Sequence, residues 1–203
     1  MKTGIYITNT ESYTGRSLVA LGVFKLLLTK VGKVGFFRPI INDQPQGKHD
    51  KHIDTMLKYF DLDQDYKDAY GFTMSQVVKY INMGQEARLI ERIIDKYKAL
   101  EKRFDFVVVE GADLSENGIP VGFDLDIEIA KNLALPTILV SLGKGKVMQA
   151  AISNIDLAIK SCAEQDVKVQ SVFMNCVAPE KMEPMKKELK AVVGEDINVE
   201  VIP

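Results

Sequence analysis

Between Asn9 and Ser17 the chain reads NTESYTGRS, a run in which the hydroxyls of Thr10, Ser12, Thr14 and Ser17 surround Gly15 and Arg16. Hydroxyl and backbone N–H donors gathered at a glycine turn, with a guanidinium beside them, are suited to holding a multiply charged anion such as phosphate. The spacing is close to G-x(4)-G-K-[ST], in which backbone amides cradle phosphates, the lysine reaches the terminal ones and the hydroxyl holds magnesium. Here Asn9 takes the place of the first glycine, the spacer to Gly15 is one residue longer, Arg16 replaces the lysine, and Ser17 keeps the hydroxyl. A hydroxyl-rich cap before a core helix would look the same, so both readings stand on the loop alone.

Two carboxylates could serve that loop. Glu110 follows the apolar run FVVV and stands at the carboxyl end of a buried strand, where a direct or water-mediated magnesium ligand would sit. Asp50, in GKHDKH, could supply a further oxygen, which makes Ser17, Asp50 and Glu110 the candidate metal ligands. Each acid also has a plainer reading, as a strand-terminating or loop carboxylate that meets water. His49 and His52 flank Asp50 at i, i+3 spacing, but no third ligand lies near them in sequence, so they are not taken as a metal pair.

The elements that must position these groups alternate between strand-like and helix-like runs. GIYIT, VGFFRP, FVVVEG, TILVSL, VQSVFMN and NVEVI read as strands. RSLVALGVFKLLLTK, QEARLIERIIDKYKALEKR and KVMQAAISNIDLAIKSCAEQ read as helices, and Leu89, Ile90, Ile93, Ile94 and Tyr97 mark a face packed on a sheet. The alternation predicts an α/β fold with a doubly wound, mostly parallel sheet and helices on both faces. The polar segment from Ile41 to Gly84 is expected to be a loop with one or two helices and no strong strand. The chain contains no internal repeat and no low-complexity tract.

With 203 residues, 46% of them hydrophobic, the chain can bury one sizeable core, and residues 1–203 are read as a single domain. The net charge of -2, with lysines scattered among acids, offers no electrostatic footprint for nucleic acid. The expected partners are a small anionic ligand or nucleotide. No stretch of eighteen apolar residues suggests a membrane span, and Cys162 and Cys176, without metal-ligand spacing, read as reduced core thiols of a cytoplasmic protein. The chain stops at Pro203 after an alternating strand-like stretch. We take this as a domain cut from a longer polypeptide, the other reading being a natural chain closed by an edge strand.

Taken together, these segments resemble the dethiobiotin synthetase-like P-loop domain over nearly the whole chain. That family has T-G-T-[DE]-T-x-V-G-K-T, matched without a gap by TNTESYTGRS. It has K-P-[VI], here Arg38 to Ile40, and V-E-G-A, here closing at Glu110 to Ala112. An asparagine ends a later strand, here Asn175, and G-[ED]-I-P resembles the final VIP. The resemblance implies a P-loop NTPase-like fold binding ATP or another nucleotide with magnesium. Asn9, Thr10, Glu11, Ser12, Tyr13, Thr14, Gly15, Arg16 and Ser17 would hold the phosphates and Asn175 would lie near the base. Arg38, Gly111 and Asp113 would line a substrate-like or effector pocket.

The family occurs as free-standing dethiobiotin synthetase, which closes a ureido ring with ATP and carbon dioxide, and as the N-terminal domain of long-form phosphate acetyltransferase. DLDIEIAKNLALPTILVSLGKG resembles the second type. Where the synthetase uses two lysines during carbamate formation and phosphoryl transfer, this chain has Arg16 and Arg38. Asp113 and Leu114 replace a glycine pair. The resemblance therefore implies a regulatory or assembly domain with no catalytic residue of its own, in an oligomer formed through the parent protein. An active dethiobiotin synthetase and a protein-interaction module are the alternatives.

Overall fold

Fully apolar parallel strands must be covered on both faces, and a chain that alternates strand and helix does this by winding outward from a central strand. The computed structural model describes residues 4–112 and 122–203. Its strands are β1 (Gly4–Asn9), β2 (Val34–Ile41), β3 (Tyr70–Thr73), β4 (Phe106–Glu110), β5 (Thr137–Leu142), β6 (Val169–Asn175) and β7 (Asn198–Val201). They form one seven-stranded sheet in the order β3-β2-β4-β1-β5-β6-β7, with every pairing parallel. The order reverses at β1, which lies between β4 and β5, so the loop after β1 opens at the switch point where ligands of such sheets bind.

The helices are α1 (Arg16–Leu28), α2 (Lys51–Tyr59), α3 (Met74–Asn82), α4 (Glu86–Glu101), α5 (Gly122–Asn132), α6 (Met148–Glu164) and α7 (Met182–Val193). They divide two cores between the faces of the sheet. Ile5, Ile7, Phe36 and Val108 pack with Val19, Ala20 and Phe24 of α1 and with Ile53 and Met56 of α2. Tyr6, Phe37, Val107 and Val109 pack on the other face with Ile93 of α4, Ile127 of α5, Ile155 of α6 and Leu189 of α7. The face of α4 read from the sequence is the buried one, with Leu89, Ile90, Ile93 and Tyr97 inside and Ile94 packed beside them.

One element departs from expectation. The segment from Ile41 to Gly84, expected to hold a loop, one or two helices and no strong strand, also contains the short strand Tyr70–Thr73, which adds β3 beside β2. Four residues are too short to show an alternation. The strand also carries Gly71, where any Cβ would run into the carbonyl of Pro39, so close approach of two backbones takes the place of a side-chain pattern.

Strand periodicity fixes what reaches the loop. Val108 faces α1 and α2, so Glu110, two residues on, faces them as well, and Arg38 stands in the same relation to Phe36. Tyr6 and Thr8 point to the opposite face, toward α5. Ile93 lies at the centre of that second core and is fully buried. Ile93→Ala should lower unfolding free energy by about 2–5 kcal/mol, read from urea denaturation followed by circular dichroism.

Candidate functional site

β1 ends at Asn9, which pairs with Val140 of β5 and so still belongs to the sheet. Its φ is not positive; the left-handed residues of the loop are Tyr13, at 57°, and Gly15, at 76°. The asparagine in the first glycine position therefore requires no unusual backbone, while the second glycine is needed for its conformation. A Cβ at Gly15 would also collide with the amide of Asn175. That asparagine, buried at the end of β6, donates to the carbonyl of Thr14 at 2.8 Å and braces the turn from below. The turn delivers α1, whose first residues carry neither a side-chain cap nor an acidic group.

The side of the loop toward β5 is tied down. Thr10 bonds the hydroxyl of Ser141 at 3.0 Å. Glu11 accepts from Ser141 and from the Leu142 N–H and pairs with Lys146. Lys146 was not read as a site residue, because the loop after β5 gives no local signal that it lies over the loop after β1.

Glu110 is the centre of the arrangement. It is completely buried, and each of its oxygens has a partner. Oε1 accepts from Ser17 Oγ at 2.9 Å and from Arg16 Nε at 3.3 Å. Oε2 accepts from His52 Nε2 at 2.5 Å. Burial by itself would raise the Glu110 carboxyl, but the His52 hydrogen bond and the charges of Arg38, Arg16 and His52 outweigh it and hold the group well below the usual carboxylate range. His52 was set aside in sequence for lack of a third metal ligand. Its actual role is set by α2, which carries it over the end of β4.

Arg16 does not extend outward from its loop. Besides Glu110, its Nη1 donates to Asn9 Oδ1 at 2.6 Å and to the carbonyl of Ala112 at 2.9 Å, and the residue is 5% exposed. Arg38 is also buried and pairs with Asp50 Oδ2 at 2.9 Å. Its Nε has no hydrogen-bond partner among the described residues, and neither does the buried hydroxyl of Thr14. A buried donor without an acceptor costs about 1–3 kcal/mol, so both are places where ligand oxygens would be stabilising.

The three residues expected to hold magnesium are not equivalent. Ser17 and Glu110 meet, whereas Asp50 is spent elsewhere: Oδ1 caps α2 through the N–H groups of His52 and Ile53, and Oδ2 holds Arg38. Magnesium takes a regular octahedron of oxygens, with carboxylates among them that are free to turn toward it. The carboxylates here are already paired with guanidinium groups and hydrogen bonded to an imidazole, so the donor set does not fit that ion. His49 lies apart, stacked on Tyr66 and hydrogen bonded to Asp54.

Gly111 closes on a second buried acid. A Cβ there would strike the carboxylate of Asp126 of α5, which accepts from Tyr6 Oη at 2.8 Å, Thr8 Oγ1 at 2.5 Å and the Ala112 N–H at 3.1 Å. Burial pushes the Asp126 carboxyl up. Asp126 was missed as a site residue; an acid on the apolar face of a helix, beside Ile127 and Ala130, was its available signal. Asp113 lies outside the described residues.

The composition of this site can be set beside known proteins. A family model described as an AAA domain matches residues 3–201. The phosphate acetyltransferase of Nitratidesulfovibrio vulgaris is 39% identical over 86% of this chain and 25% of its own length. An ATP-dependent dethiobiotin synthetase of Methanococcus vannielii is 26% identical over 98% of this chain and 90% of its own. The MinD cell division protein of Aquifex aeolicus matches in structure with a TM-score of 0.58 at 14% identity, over 98% of this chain and 81% of that one, a likeness of fold alone. The chain thus spans about a quarter of the length of the phosphate acetyltransferase it matches.

The lowered pKa of Glu110 has a consequence for stability. A carboxyl whose folded pKa lies below its unfolded value stabilises the fold above the unfolded value, and that contribution is lost as pH falls toward the folded one. Below about pH 4.5, the ordinary glutamate value, the protein should lose stability with a component of about 1.4 kcal/mol per pH unit from this group. Glu110→Gln should be less stable at neutral pH and should lack that component, as read from denaturant unfolding across pH 3 to 6, a range set by about 1.5 units either side of that value. Asp126, displaced upward, contributes with the opposite sign in both proteins and cancels from the comparison.

Proposed function

This chain belongs to the AAA domain family, and we propose that within it the chain is a nucleotide- or anion-binding domain that regulates or assembles a phosphate acetyltransferase. The acetyl transfer between coenzyme A and phosphate would be carried out by a C-terminal domain, with residues 1–203 as one N-terminal domain of the longer protein. The observation that carries this reading is the start of α1, which follows a left-handed turn at Gly15 and has no side-chain cap and no acidic residue. The open N–H groups and partial positive charge of a helix start are an anion site. Loop residues 9–17 would surround the phosphates, and Arg38 Nε and the Thr14 hydroxyl would find acceptors on the ligand.

Binding without turnover is the form this takes. In phosphoryl transfer a lysine at the loop follows the transferring group and stabilises it more in the transition state than before it. Arg16, in that position, is engaged with Asn9, Glu110 and Ala112 and is a broad planar fork in place of a compact ammonium. A cytoplasmic setting and a homo-oligomer formed through the parent protein belong to the same proposal. The thiol of Cys162, buried and pushed up to about 12, supports a reduced, inert cysteine.

A dethiobiotin synthetase is the second reading. It is favoured by the match to the Methanococcus vannielii enzyme along 90% of that enzyme's length. The two separate in one pair of measurements. Calorimetric titration of the chain with ATP should show saturable binding, and Arg38→Gln should weaken it by about tenfold or more, the loss of one charged hydrogen bond. Incubation with ATP, bicarbonate and diaminopelargonic acid should give no dethiobiotin; formation at about one per second or faster would select the synthetase. Failure to bind ATP or any other phosphate-bearing anion would reject both.

A further inference from the structure

The charges around Glu110 balance before any ligand arrives. Arg16 and Arg38 face Glu110 and Asp50, so two guanidiniums meet two carboxylates, with His52 as an additional donor. In a loop that uses magnesium, a carboxylate at the end of the neighbouring strand keeps its charge for the ion, and the ion in turn bridges the phosphates. Here that charge is taken by side chains. Glu110 has no exposed surface and both its oxygens are occupied.

From this geometry we infer that the loop binds its phosphate-bearing ligand without magnesium, the Arg16 guanidinium standing in the metal's electrostatic place. The inference rests on the reading of the loop as a phosphate site and adds to it the ionic form of the ligand: free, metal-free polyphosphate or a like anion. Three observations agree. Arginine keeps its proton under all ordinary conditions, so Arg16 cannot give up its charge to make room for an ion. Its guanidinium is fixed at both ends of the β4 turn, by Glu110 Oε1 and by the Ala112 carbonyl, and on the loop side by Asn9. Asp50, the other expected ligand, has its two oxygens committed to the start of α2 and to Arg38.

An entering magnesium ion would have to separate Glu110 from Arg16 and leave a buried guanidinium without its counter-charge. A phosphate oxygen, by contrast, approaches two arginines, the N–H groups at the start of α1, and the unpartnered Arg38 Nε. The anion is attracted by what the metal would have to displace. A compact lysine at position 16 would remove the guanidinium from the Ala112 carbonyl and Asn9 and free Glu110 to face a metal.

The test is ATP binding by calorimetry on the 203-residue chain, once in EDTA and once in excess magnesium. The dissociation constant in EDTA should lie within about threefold of that in magnesium, or below it, since free ATP carries more charge. Arg16→Lys should restore a metal requirement, binding ATP about tenfold or more tightly in magnesium than in EDTA. Wild-type binding that weakens by more than about threefold when magnesium is removed would overturn the inference and leave the phosphate site standing. No binding under either condition overturns the site and the inference together. An Arg16→Lys protein that folds, by its circular dichroism, and binds equally in both conditions would remove Arg16 from the role given to it here. The wild-type comparison decides metal dependence even if that variant does not fold.

Discussion

The arrangement depends on an ionised carboxylate held where no water reaches it. An isolated charge at the position of Glu110 would be too costly to keep, and it persists because Ser17, Arg16 and His52 each donate to it and Arg38 adds a favourable charge nearby. Those donors come from three different parts of the chain. Ser17 and Arg16 open α1, His52 lies in the first turn of α2, and Arg38 lies within β2. Satisfying one buried group thus fixes how the loop, two helices and two strands meet. It also ties the charge of the loop to the segment between β2 and β3.

A second buried acid lies across the sheet and behaves differently. Asp126 receives only neutral donors directly, the hydroxyls of Tyr6 and Thr8 and the Ala112 N–H, and burial prevails in pushing its carboxyl up. Burial raises Glu110 as well, but there arginine and histidine reverse the sign. The two acids bracket the turn at Gly111 and Ala112 from opposite faces, which accounts for a glycine at a place where a side chain would meet Asp126. The turn after β4 is therefore positioned from both sides before any ligand is considered, and it presents a carbonyl to Arg16.

An arginine in place of lysine in the loop after β1 changes what else the site needs. A lysine is a single point of charge that can follow a ligand. The guanidinium of Arg16 makes several bonds in one plane and so becomes part of the wall. Its burial explains why Asn9 is tolerated at the first glycine position: the asparagine oxygen is one of the acceptors that hold the guanidinium, and its backbone remains within the sheet. The loop and the residues beneath it are in this sense one hydrogen-bonded unit.

Everything carried by local periodicity was legible before folding is considered. The parallel sheet wound in both directions, six of its seven strands, the buried face of α4, and the loop between β1 and α1 follow from apolar spacing and from a glycine set among hydroxyls. Ser17 and Glu110 were also legible as partners, since Ser17 opens the helix after β1 and Glu110 ends β4, and a doubly wound sheet places those two strands side by side. The rest depends on packing between elements distant in sequence. β3 is too short to leave a pattern, His52 and Asp126 reach their partners from helices far along the chain, and Asp50 is turned to Arg38 and to the start of α2. The inward direction of Arg16 was likewise unreadable. A side chain's identity states what charge it carries, but which counter-charge satisfies it once water is excluded depends on the packing of elements distant in sequence.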